Sequence, residues 1–197
     1  MRRSLIVAVP VLLLAVGCGG EKLQATSQHP AAVIAKPAGV TPANASRPRH
    51  AGTGTMPMCR TGGLSFRLGA PDGAAGSRYQ HIVFTNTTAS TCTLTGYPGV
   101  SFVAPGTGKQ VGAAASRNAQ HAVAVVTLAP GGSASATLQI VNYANYPSAD
   151  CHATSASGLR VYPPGNTSAA YVPFGHTRSA CGSKVQQLTV MAVVAGA

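Results

Sequence analysis

The chain has 197 residues and carries 14 Lys and Arg against three Asp and Glu, a formal charge of +11. Those three acids, Glu21, Asp72 and Asp150, are too few and too scattered for paired-carboxylate hydrolysis. Aromatic residues make up 5% and tryptophan is absent, so bases would have little to stack on, which argues against nucleic-acid binding.

The N-terminus reads as an export signal. Met1-Arg-Arg-Ser4 is a basic head, followed by an apolar run over 5–16 that Pro10 interrupts. That run is shorter than the roughly 20 residues of a membrane-spanning helix and suits a secretory h-region. It ends in Leu14-Ala-Val-Gly-Cys18, which resembles the bacterial lipobox, with Ala15 standing where that motif usually has Leu. The expectation is a signal peptide over 1–17 and a lipidated Cys18 bearing diacylglyceryl and a further acyl chain such as palmitate. Two or more chains suffice for stable anchoring at the cell membrane. Residues 18–58 are rich in Ala, Pro, Thr and Ser without sustained periodicity and read as a disordered tether. A coil of about forty residues reaches roughly 35 Å.

Residues 59–197 form the expected single folded domain. Short apolar or alternating segments predict strands over 64–68, 79–85, 100–103, 122–128, 135–141, 159–162, 170–172 and 186–194. Turn-forming clusters separate them, among them Pro71-Asp-Gly73, Asn86-Thr-Thr88, Pro130-Gly-Gly132 and Pro163-Pro-Gly165. Residues 113–124 have a helix-friendly composition and suit a short helix or an irregular crossover. Cys92-Thr-Leu-Thr-Gly-Tyr-Pro-Gly-Val100 combines an alternating strand, a turn and a second apolar run. Many short strands with Gly/Pro turns predict an all-β fold, an immunoglobulin-like antiparallel β-sandwich. Cys59, Cys92, Cys151 and Cys181 are an even set in an exported chain and read as two disulfides. Three connectivities are open. Nearest-neighbour pairing, Cys59 with Cys92 and Cys151 with Cys181, is preferred because it closes two loops of similar length, each contributing ~3–4 kcal/mol.

Cys59, Gly76-Ser-Arg78, Phe84-Thr-Asn86, the Cys92-x-Leu-x-Gly-Tyr-Pro-Gly-Val100 stretch, Leu128-x-Pro-Gly131 and the Cys151/Cys181 pair together resemble one family. It is the actinobacterial exported domain of unknown function found in mycobacterial and streptomycete lipoproteins. The resemblance implies a disulfide-bearing β-sandwich at the cell envelope and supplies no catalytic residues, because the family has no established activity.

The candidate chemistry is sparse. No Gly-x-Ser-x-Gly elbow occurs, and no His or Cys spacing matches a zinc site. No catalytic residue and no cofactor is therefore assigned. His50, Met56 and Met58 lie close together before Cys59, and thioether with imidazole suits Cu(I), so an extracytoplasmic copper carrier is an alternative. A small envelope hydrolase using His81 or His121, or a hydrolase inhibitor, is another. Binding is the principal expectation, carried by Tyr143, Asn145, Tyr146, Tyr162 and Tyr171 in loops rich in Asn and Ser. The basic residues Arg60, Arg67, Arg78, Lys109, Arg117, Arg160, Arg178 and Lys184 form no run and read as a solubility charge. The expectation is a non-enzymatic, lipid-anchored module whose partner is an envelope protein or cell-wall glycan.

Overall fold

The computed structural model describes residues 55–197. The signal peptide, Cys18, most of the tether and His50 lie outside the described residues. Strands β1 (Leu64–Ala74) and β2 (Ser77–Asn86) form an antiparallel hairpin with Leu64 opposite Asn86 and Ala74 opposite Ser77. Ala75 and Gly76 make the two-residue connection, and Gly76 supplies the positive φ of 71° that such turns favour. β1 is longer than the expected 64–68. Pro71-Asp-Gly73 continues the strand opposite Gln80, Tyr79 and Arg78, after a register slip between Leu68 and Pro71. Proline is tolerated there because β1 is the edge of its sheet and the missing N–H leaves no ladder bond broken.

The chain continues through β3 (Cys92–Thr95), β4 (Gly99–Val103), β5 (Gln110–Val111), β6 (Ser116–Arg117), β7 (Val125–Leu128) and β8 (Ser133–Val141). A 3-10 turn (Tyr143–Asn145) and a one-turn helix α1 (Ser148–Cys151) lead into β9 (Ala153–Tyr162) and β10 (Ala170–Cys181). Short strands β11 (Leu188–Val190) and β12 (Val194–Ala195) end the fold. One sheet runs β1-β2-β8-β11-β6, with β12 also on β8; the other runs β10-β9-β4-β5; β3 and β7 form a two-stranded ribbon. All pairings are antiparallel except β11 with β6. The fold is thus the expected β-sandwich.

Period-two alternation builds the core. Ile82, Phe84, Ala136 and Leu138 from the first sheet, Phe102, Leu159, Val161 and Phe174 from the second, and Leu94, Val126 and Leu128 from the ribbon join one buried cluster. Each fully buried Leu or Phe contributes about 1.5–3 kcal/mol. Phe66 meets Phe84 edge to face at 5.5 Å, and Phe102 meets Phe174 in the same manner at 6.0 Å.

Both preferred disulfides are present. Cys59 and Cys92 join the segment before β1 to β3 (Cα–Cα 4.9 Å), and Cys151 and Cys181 join α1 to the end of β10 (4.5 Å). Pro57 and Met58, assigned to the tether, already belong to the fold: the Thr93 amide donates to the Pro57 carbonyl, and the Cys59 amide to the Thr93 carbonyl, both at 2.9 Å. Residues 113–124 contain β6 and no helix. The expected 186–194 strand is divided into β11 and β12, because after Met191, which still bonds β8, the backbone turns at Val193 to another partner. The Met191 amide donates to the Thr137 carbonyl, and the Val193 amide leaves the sheet to donate to the Gly96 carbonyl.

Candidate functional site

β1 and β10 are the edge strands of the two facing sheets, and each breaks its pairing along its length. On β10, Pro173 lies opposite Gly158, and the next pair is Arg178 opposite Ala156. Three more residues are therefore spent on β10 than on β9. Gly175, at φ 80°, allows the backbone to make this excursion. The excursion re-aims its flanking side chains. Phe174 enters the core against Phe102, and the Arg178 guanidinium lies over the Phe174 ring, 4.6 Å from its centroid.

A groove opens between the sheets at this place. One cavity, about 430 Å³, is bounded by the β1–β2 turn, the end of β8 and the outer half of β10. Its lining includes Ser77, Arg78, Asn142, Tyr143, His176, Arg178, Ser179 and Gln187, over Phe102 and Ile140, and contains no carboxylate. A second cavity of about 480 Å³ is lined mainly by apolar groups, with Phe66, Leu68, Pro71, Val172 and Phe174 beside Arg67 and Arg178. Arg178 is common to both. Its Nε is buried without a hydrogen-bond partner. Burial, followed by the neighbouring charge of Arg78, lowers its pKa from the ordinary guanidinium value.

The five residues expected to bind are not gathered into one surface. Tyr143 is exposed and lines the groove. Asn145 and Tyr146 follow it but are engaged in bracing. Asn145 Nδ2 donates to the Gly76 carbonyl at 2.8 Å, holding the β1–β2 turn, and the Tyr146 hydroxyl donates to the Gln186 carbonyl at 2.7 Å. Tyr162 lies on β9 opposite Gly99, and a Cβ added at Gly99 would come within 3.4 Å of it. Tyr171 lies across Gly158 and donates its hydroxyl to Ser157 at 3.1 Å. Neither Tyr162 nor Tyr171 lines the groove.

The other candidates are also dispersed. Met58 Sδ sits against Gly165, where an added Cβ would approach it to 2.5 Å, and Met56 is exposed. Among the described residues, no three of His, Cys, Asp and Glu are placed to hold a metal ion. His81 Nδ1 lies 3.3 Å from the Thr137 hydroxyl, and His121 is in an exposed loop. Asp72 lies on β1 and Asp150 in α1. Asn86 is buried, with its amide donating to the Ser90 and Leu128 carbonyls at 2.8 and 3.0 Å.

Sequence reasoning did not single out Arg78, Arg178, His176, Ser77 or Ser179 as a site. Pro173 and Gly175, flanking Phe174 in an otherwise extended segment, were the local signs that the strand breaks there. A sequence model of the family described as "Domain of unknown function (DUF4232)" matches residues 59–194. No curated protein matches the chain.

Proposed function

The chain belongs to this family of domains of unknown function, and from that premise we propose that it is a lipid-anchored, non-enzymatic binding module of the cell envelope. The groove between the two sheets carries the reading. It combines donor side chains with apolar walls, the mixture by which ligand sites fix orientation and exclude water. Its edges are set by a disulfide-stapled sandwich, so recognition groups rest on rigid strands. The address is supported by the lipobox-like Leu14-Ala-Val-Gly-Cys18 and by the likeness to actinobacterial envelope lipoproteins. The lipid on Cys18 fixes location, residues 19–56 set reach, and the sandwich presents the groove to an envelope protein or wall glycan.

Two experiments test this. Labelled palmitate fed to producing cells is expected to enter the chain and to be lost in Cys18→Ser. The immobilised, oxidised mature chain is expected to capture a saturable partner from solubilised envelope and wall glycan at physiological salt. Turnover of an envelope substrate by the purified chain would overturn the non-enzymatic assignment. Capture abolished by salt would reduce the interaction to diffuse charge.

A further inference from the structure

We propose that the basic groove between β2, β8 and β10 binds a phosphoryl group, such as that of a small phosphate monoester. This deepens the binding function proposed above by naming the ligand chemistry of the same groove. Arg78 comes from β2 in one sheet and Arg178 from β10 in the other, and both line one cavity of about 430 Å³. Two guanidiniums held near each other repel, and the lining contains no carboxylate to offset them. Arg178 is half-buried beside Arg78, and burial followed by that neighbour's charge lowers its pKa. An anion entering the groove would supply the countercharge that the lining lacks.

The geometry favours phosphate over carboxylate. One planar guanidinium fork satisfies a carboxylate in a single plane. Two forks arriving from opposed sheets suit a tetrahedral group with three oxygens and up to two charges. Ser77 and Ser179 line the same cavity and supply neutral donors. The Arg178 guanidinium is held over Phe174 at 4.6 Å, which fixes the fork at small entropic cost before a ligand arrives. The cavity is larger than a bare phosphate ion needs, and Tyr143, Phe102 and Ile140 offer walls for the alcohol portion of an ester.

The test is calorimetric titration of the mature chain with inorganic phosphate, glycerol 3-phosphate and acetate at constant physiological ionic strength. Saturable phosphate binding is expected with a Kd at or below about 1 mM, the strength two charge-assisted contacts supply. Glycerol 3-phosphate is expected to bind more tightly than phosphate, and acetate more weakly than either. Arg78→Gln and Arg178→Met should each weaken binding at least about tenfold, while Lys109→Gln, at an exposed residue outside the groove, should leave it unchanged. Arg178→Met retains a long apolar side chain over Phe174, and Arg78→Gln provides an independent variant should one fold poorly. No saturable phosphate binding, binding undiminished from wild type in both arginine variants, or acetate binding as tightly as phosphate would each overturn the proposal. Envelope capture that persists in both arginine variants while phosphate fails to bind would remove the phosphoryl site and leave the binding module standing. Phosphate binding without envelope capture would do the reverse.

Discussion

Arg178→Met is expected to stabilise the unliganded domain while weakening its ligand site, which makes it an informative single change. In the wild type, Arg178 Nε is buried with no hydrogen-bond partner, and such a donor costs about 1–3 kcal/mol. Against this stands the contact of the guanidinium with Phe174 at 4.6 Å, worth about 0.5–1 kcal/mol in a partly exposed setting. Methionine refills most of the volume, and its sulfur against the same ring contributes about 0.3–1.5 kcal/mol. The balance is a gain of about 2 kcal/mol, or about 6 °C in Tm for a domain of this size. Urea denaturation in phosphate-free buffer measures it directly. Phosphate at a hundredfold excess over Kd would then stabilise the wild type by about 2.7 kcal/mol, and a variant binding tenfold more weakly by about 1.4, narrowing the gap by about 1.3 kcal/mol. A variant that loses more than about 1 kcal/mol in phosphate-free buffer would show that Arg178 is satisfied within the fold. The reasoning from an unmet donor would then be wrong.

Three further variants probe the packing that holds the sandwich together. Cys59→Ser with Cys92→Ser opens a loop of sequence separation 33 and should cost about 3.7 kcal/mol in the unfolding free energy, read from the urea midpoint of the oxidised and mutant chains. Gly158→Ala places a Cβ 2.5 Å from the Val172 carbonyl and 2.7 Å from the Tyr171 ring. A loss of about 2–3 kcal/mol is expected, with faster hydrogen exchange of the β9 and β10 amides; a Tm unchanged from wild type would contradict this packing. Asn86→Ala removes the donor to the Leu128 carbonyl inside the core, so chemical denaturation should show a loss of about 2–3 kcal/mol.

The sandwich was largely legible because its central strands alternate. Gln80, Ile82 and Phe84 on β2, and Ala134, Ala136 and Leu138 on β8, place every second residue in the core. The disulfides followed from an even cysteine set and similar loop lengths. Strand ends were less visible where apolar alternation stops. Residues 153–155 and 178–179 are mostly exposed and polar or small, yet they pair in β9 and β10 because the ladder is a backbone property. Pro71-Asp-Gly73 has the composition of a turn but extends an edge strand, and an edge is a tertiary fact. The tyrosines illustrate the same limit. Tyr162 over Gly99 and Tyr171 over Gly158 are fits between side chain and vacancy that no local pattern announces. The groove was hidden for the strongest reason. Arg78 and Arg178 are far apart in a scattered set of basic residues, and only the facing of the two sheets makes them neighbours.

The most direct test of the central claim is capture of envelope material by the immobilised mature chain, run in parallel on wild type, Arg78→Gln and Lys109→Gln at physiological salt. Saturable capture by the wild type and Lys109→Gln, lost in Arg78→Gln and competed by glycerol 3-phosphate, is the expected result. Capture that is identical in all three chains and indifferent to the competitor would place the ligand elsewhere and contradict a binding function centred on the groove.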